Sequence, residues 1–244
     1  MTTSTFVRYE LIRNLRNRRF FVFTIGFPLA LYVLIAAPNR HEESLAGSGI
    51  PAPLYFMVGL AALGTMNAVV GGGARIAFER VSGWTRQLRL TPLRPRAYLG
   101  TKVAAGYLSA SLTIIALYAA GILLGVHLSA GRWLEMTGLL LIGLLPFAAL
   151  GIVLGHLLGV EAVGPTIGGL SGLLGFLGGV WFPLGQGAMR DVAEALPSFW
   201  LVQASHVSLG GQGWSATGWL VVTAWTVVLS VLAAYAYRRD TARA

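Results

Sequence analysis

One short stretch of this chain, residues 75–102, is densely basic and has the sequence RIAFERVSGWTRQLRLTPLRPRAYLGTK. It holds seven of the 18 Lys and Arg residues and a single acid, Glu79. A basic stretch of this density between two apolar runs is typical of a surface that docks on a partner. The other groups that could carry chemistry are sparse.

Two small clusters could act as catalytic or metal sites. His41, Glu42 and Glu43 are adjacent, but such a run between apolar segments is typical of a solvated loop rather than a metal site. Asp191 and Glu194 lie three residues apart and could share acid–base work, although a wetted helix face explains them more simply. We therefore predict no catalytic residue, no metal site and no cofactor in this chain.

ATP chemistry by a P-loop is excluded within this sequence. That motif requires a Lys followed by Ser or Thr. The single Lys is Lys102, and Val103 follows it. If the protein works with ATP, then ATP and Mg²⁺ must bind to a separate chain.

The composition identifies the elements that must position these residues. Of 244 residues, 55% are hydrophobic and 11% are charged, whereas soluble domains carry about 25% charged residues. Several apolar runs approach the ~20 residues that cross a bilayer as a helix. The sequence predicts an all-α polytopic membrane protein, a single transmembrane domain over residues 1–244, with six transmembrane helices near residues 20–37, 53–73, 98–126, 133–158, 164–181 and 218–237.

Two further segments flank these spans. Residues 4–19 alternate apolar and basic side chains at helical spacing, which predicts an N-terminal amphipathic interfacial helix. Residues 182–213, with Pro183 and Pro197, are either an ordinary extracellular loop or a re-entrant hairpin, and we favour the hairpin. Three successive glycines predict the end of the second span at Gly73.

The distribution of basic residues sets the orientation. With the N-terminus inside, 15 of the 18 Lys and Arg residues face the cytoplasm, and the rest are Arg40, Arg132 and Arg190. This agrees with the positive-inside rule and predicts that both termini are cytoplasmic. The net charge of +9 thus reflects membrane topology, and we predict no nucleic-acid partner.

The predicted spans have no charged residue near their centres. Intramembrane carboxylates or arginines are the usual mark of ion-coupled transport, so that mechanism is disfavoured. The apolar, aromatic interior suits a hydrophobic or amphipathic substrate. Glycines at 151, 155 and 159 predict close helix packing in the fourth span.

The order of these elements resembles the ABC-2 family of ABC transporter permeases. The residues that carry the resemblance are Glu79–Arg80, Gly83, Leu88, the triplet Thr91-Pro92-Leu93 and Lys102. A looser match is WFPLGQGAMRDVAEALPSFW, where two prolines bracket a short helix. The resemblance covers nearly the whole chain.

The resemblance implies a small bacterial exporter of the cytoplasmic (inner) membrane. Its partners would be a cytoplasmic ATPase dimer, a second permease copy (identical or homologous) and membrane lipids. The substrate would be a drug, antibiotic, lipid or glycolipid. Residues 75–97 would form the cytoplasmic coupling segment, with a coupling helix that contacts the ATPase through Glu79, Arg80, Gly83, Trp84, Arg86, Leu88, Thr91 and Pro92.

The resemblance also implies that the first, second and fifth spans flank the substrate path. On these spans and just after the fifth we expect path residues at Asn67, Thr65, Gly172, Gly175 and Phe182. The alternatives are a membrane-embedded enzyme or assembly factor without an ATPase, which would need convergent polar residues, and an ion-coupled carrier.

Overall fold

The structure, a computed structural model, describes residues 9–10, 12–13, 16, 21–84, 87, 95–209 and 213–242. Within these ranges the regular elements are helical. We number the helices α1 (Val22–Ala36), α2 (Ala52–Val81), α3 (Pro95–Leu123), α4 (Ala130–Gly143), α5 (Leu145–Leu157), α6 (Val160–Leu177), α7 (Ala188–Glu194), α8 (Pro197–Gln203) and α9 (Ala216–Ala242).

The helix lengths confirm an all-helical membrane protein among the described residues. Five spans are long and apolar enough to cross a bilayer: α2, α3, α4 with α5, α6 and α9. The first predicted span is a shorter apolar helix, α1, whose opening turn Val22–Gly26 is π-helical. Six crossings therefore stay a prediction, with five supported by length.

Helix α2 is the centre of the fold. In the most apolar 18-residue stretch of α2, 89% of the residues are buried inside the chain, whereas only 11% are buried in the corresponding stretch of α6. It packs most extensively on α3 and α5, and it also contacts α1, α6 and α8. Because α6 and α9 leave most of their surfaces open, they are the helices available to lipid or to another chain.

The sequence predicted that the three glycines at positions 71–73 would end the second span, but α2 passes through them. The helix continues to Val81. A Cβ at Gly73 would come within 2.5 Å of the Gly151 backbone on α5, and one at Gly72 within 3.1 Å of Gly106 on α3. These glycines are therefore packing sites inside a helix.

The predicted glycine face of the fourth span is confirmed at two positions. A Cβ at Gly151 would lie 2.5 Å from the Val70 carbonyl oxygen, and one at Gly155 would lie 2.5 Å from that of Gly73. The span itself is broken at Leu144, because Pro146 in the first turn of α5 cannot continue the hydrogen-bond ladder of α4.

Residues 182–209 fold back into the bundle. They contain α7, α8 and a 3₁₀ turn, Ala204–Leu209. Helix α8 packs on α2, α4, α6 and α9, and Trp214 Nε1 donates a 2.6 Å hydrogen bond to the Trp200 carbonyl. This burial favours a hairpin over a surface loop, and its depth in the membrane stays a prediction.

Candidate coupling site

A buried ion cluster joins three segments at one end of the bundle. Lys102 Nζ, near the start of α3, lies 2.6 Å from Glu79 Oε1 at the end of α2 and 2.6 Å from Glu10 Oε1. Arg13 lies 2.8 Å from Glu10 and also contacts Glu79. Tyr98 donates a 2.6 Å hydrogen bond to Glu79 Oε2. We call these five residues the base cluster.

Most of the base cluster is buried, although the Arg13 side chain is 47% exposed. Lys102 is 1% exposed, Glu10 4% and Glu79 6%. Burial alone lowers the pKa of Arg13, but the hydrogen bond and charge of Glu79, together with those of Glu10, outweigh it and raise that pKa. Arg13 therefore stays charged, and the two carboxylates face Lys102, Arg13 and the nearby charge of Arg75. Removing one partner of such a buried pair leaves an uncompensated charge, at a cost of about 3–5 kcal/mol.

Glu79 was expected to contact an ATPase, and the structure places it inside the chain. Both carboxylate oxygens bind partners within the base cluster. The neighbouring side chains Phe78 and Val81 point outward instead, with 50% and 77% of their surfaces exposed. The exposed surface at the end of α2, next to Arg80, is thus apolar.

Arg80 belongs to a second polar cluster. It donates a 2.7 Å hydrogen bond to the carbonyl of His156, in the last turn of α5, and lies 2.9 Å from Asp240 near the end of α9. His156 Nδ1 lies 3.0 Å from the same carboxylate, and its ring packs edge-on against Tyr237. A cation beside C-terminal carbonyls stabilises a helix end. Arg80 therefore ties α2 to α5 and α9.

The chain turns sharply just after α2. Gly83 adopts φ +73° and its N–H bonds the Arg80 carbonyl at 3.2 Å. Trp84 is half-buried and packs against a small apolar cluster that includes Ile76 and Tyr98. The remaining residues expected at the coupling segment, Arg86, Leu88, Thr91 and Pro92, lie outside the described part of the chain.

Only some of the residues expected on the substrate path lie close to one another. Asn67 on α2 accepts a hydrogen bond from Ser171 on α6. Thr65 is fully buried and bonds back to the Ala61 carbonyl at 2.6 Å, so its hydroxyl is satisfied within α2. Phe182 is 41% exposed and packs edge-on against Phe176.

The two predicted path glycines face different ways. Gly175 packs against Leu63 of α2, whereas Gly172 lies with Gly164 and Gly168 on the open face of α6, where an added Cβ would meet nothing. The open face has a helical repeat of four residues, and small residues at this spacing permit close approach of another helix.

Sequence reasoning missed most of the polar partners. Glu10, Arg13, Tyr98, His156 and Asp240 were not singled out. A signal was available, because Glu10, Glu79 and Asp240 are each the lone acid within a strongly basic segment. All three carboxylates form ion pairs with basic residues.

Comparison with known proteins identifies the family. The model described as "ABC-2 family transporter protein" matches residues 39–236. A Bacillus subtilis (strain 168) protein named "Putative transport permease YvfS" is 26% identical over 242 residues, which cover 96% of each chain. A permease of this family works with an ATPase partner. The chain belongs to the ABC-2 family of transporter proteins and is a membrane permease of an ABC transporter.

Proposed function

We propose that this permease exports a hydrophobic or amphipathic compound (a drug, antibiotic, lipid or glycolipid) across the bacterial inner membrane. Both termini face the cytoplasm, and a separate cytoplasmic ATPase dimer binds ATP and Mg²⁺. Two permease copies, identical or homologous, enclose the substrate path. The distribution of 15 of 18 basic residues on one side supports this orientation.

The base cluster is the observation that carries the proposal. The coupling segment leaves α2 and re-enters the membrane as α3, and Glu79 and Lys102 join those two helices at their cytoplasmic ends. A force applied to the segment therefore acts on both helices together, rather than bending one of them. Glu10 and Arg13 add the N-terminal segment to the same unit.

The buried position of Glu79 changes the expected contact with the ATPase. We assign the contact to the exposed Phe78 and Val81 and to the segment that follows. Apolar side chains exposed beside a basic group suit a protein partner better than water. Glu79 then acts as a positioning residue that holds the segment to α3.

Co-expression with the cognate ATPase tests these roles. We expect Val81→Asp to abolish co-purification, because it places a charge in the apolar contact. Glu79→Gln should leave co-purification intact and lower stimulation of ATP hydrolysis several-fold. Glu135→Gln, which changes an exposed acid at the opposite end of the bundle, is the matched control. If both Val81→Asp and Glu79→Gln behave as the control, the coupling assignment is wrong.

The open face of α6 supports contact with a second copy. Only 11% of the most apolar window of α6 is buried, and Gly164, Gly168 and Gly172 leave that face flat. Two such faces can approach closely, and Phe176 and Phe182 would close the path at its outer end. The hydrogen-bonded Asn67 and Ser171 lie between α2 and α6, on the inner side of this helix.

The chain contains no Cys, so single engineered thiols give an unambiguous test of this interface. We expect Gly172→Cys to form a disulfide-linked dimer in membranes under mild oxidation. Leu220→Cys on α9, where Leu220 is 69% exposed, is the control and should stay monomeric. Cross-linking through Leu220 and none through Gly172 would assign the dimer interface to α9 instead.

A further inference from the structure

A basic cavity lies at the end of the bundle opposite the base cluster. It has a volume of about 470 Å³ and lies between the loop before α2 and the connection from α3 to α4. Pro53 of α2 lines it, whereas Glu79 lies 26 residues further along the same helix. At a rise of 1.5 Å per residue the two sites are about 39 Å apart.

The cavity collects basic side chains and no acid. Arg40, His41, His127 and Arg132 line it, and its lining contains no carboxylate. In the proposed orientation the outward segments hold three arginines, Arg40, Arg132 and Arg190, and two of these meet in this cavity. Outward loops of bacterial membrane proteins are depleted in basic residues, so this convergence needs a reason.

The fold holds the basic residues around the cavity by a defined turn. Helix α3 ends in a Schellman motif, with a 2.9 Å hydrogen bond from Val126 N–H to the Gly121 carbonyl. In the second hydrogen bond of the motif, the Gly125 N–H donates to the Ile122 carbonyl at 3.1 Å, and Gly125 has φ +91°. Val126 is buried, which fixes His127 at the cavity rim.

The opposite wall is set by the loop before α2. Arg40 Nε donates a 3.0 Å hydrogen bond to His41 Nε2, so the two side chains are held side by side. The rest of the wall is apolar and includes Pro51, Leu54 and Leu124. The cavity therefore combines cationic donors with a hydrocarbon-compatible surface.

We propose that this cavity binds the phosphate group of an anionic amphiphile at the outward face. Guanidinium groups bind phosphate with paired, charge-assisted hydrogen bonds. The volume lies within the range of about 300–1,000 Å³ found for small-molecule sites. The ligand is either a membrane lipid headgroup or a free phosphate compound. The outward location of this cavity rests on the proposed function, whereas phosphate binding rests on the cavity alone.

Binding to the full-length permease without its ATPase tests the proposal. Native mass spectrometry of the detergent-solubilised chain would count bound phosphatidylglycerol against phosphatidylcholine, and calorimetry would measure inorganic phosphate. We expect Arg132→Gln to weaken phosphatidylglycerol binding at least tenfold and Arg132→Lys to retain most of it. Arg190→Gln removes an outward charge outside this cavity and should change binding less than twofold.

Each result has a defined meaning. Binding of phosphatidylglycerol without inorganic phosphate identifies a lipid headgroup site, and binding of both identifies a general phosphate site. Equal binding of the two lipids, or equal loss in Arg132→Gln and Arg190→Gln, overturns the proposal. Labelling of Arg132→Cys with a membrane-impermeant maleimide on spheroplasts checks the orientation separately, so failure of the exporter model leaves this result interpretable.

Discussion

Lys102 Nζ contacts Glu79 Oε1 at 2.6 Å although 23 residues separate the two in sequence. Nearly all of the segment expected to meet the ATPase lies between them. The ion pair therefore closes the base of a loop whose tip receives the mechanical input. Its burial makes the pair sensitive to single substitutions, because neither charge can be solvated by water when its partner is lost.

Replacing Lys102 should destabilise the permease more than any exposed substitution. Lys102→Met leaves Glu10 and Glu79 buried with Arg13 as their direct ion-pair partner and the charge of Arg75 nearby. We expect the free energy of unfolding to fall by about 3–5 kcal/mol, the usual cost of breaking a buried pair. The measurement is unfolding in a titration with sodium dodecyl sulfate, followed by tryptophan fluorescence.

The double variant Lys102→Met/Glu79→Gln controls for lost packing. It removes one charge of each sign, so it should recover part of the stability lost in Lys102→Met. A double variant that loses the sum of the two single effects would show that the residues do not interact energetically.

Tyr98→Phe should have a smaller and more specific effect. It removes the hydroxyl that bonds Glu79 Oε2, while the ring can keep its packing. A hydrogen bond to a charged group contributes about 1.5–3 kcal/mol, and one between neutral groups about 1 kcal/mol. Tyr107→Phe on the same helix is the matched control, since Tyr107 bonds the neutral Leu141 carbonyl at 3.0 Å. Equal unfolding free energies for the two variants would argue against an ionised Glu79.

The glycines of the bundle should divide into two classes. Gly151→Ala places a methyl group 2.5 Å from the Val70 carbonyl oxygen, so α2 and α5 must separate. Overpacking of this kind costs about 1–3 kcal/mol. Gly168→Ala meets open space and should leave the fold of one protomer unchanged while weakening disulfide cross-linking through Gly172→Cys. If Gly168→Ala destabilises the monomer as much as Gly151→Ala, the open face of α6 is packed within the chain.

The sequence predicted features with a period or a composition, and it missed those that depend on tertiary approach. Apolar run length located the five helices that are long enough to span a bilayer, and the repeat at 151 and 155 located a helix contact. The glycines at 71–73 were interpreted as closing the second span, yet the helix continues through them to Val81, because glycine can line a helix contact in a membrane protein instead of ending the helix. Glu79 was interpreted as a surface residue because its ion-pair partners, Arg13 and Lys102, are 66 and 23 positions away in sequence.

Arg80 could contribute to coupling either by linking α2 to α9 or by contacting the ATPase directly, and substitutions at this position distinguish the two. It bonds both Asp240 and the His156 carbonyl on the inner side of the segment. Its side chain is 32% exposed, so Arg80→Gln should cost within about 1 kcal/mol of stability. We expect stimulation of the partner's ATP hydrolysis to fall several-fold, since α2 loses its tie to α9. Asp240→Asn should reproduce that loss if the tie is responsible. If Asp240→Asn retains full stimulation while Arg80→Gln abolishes co-purification, Arg80 instead contacts the ATPase directly, as its sequence position first indicated.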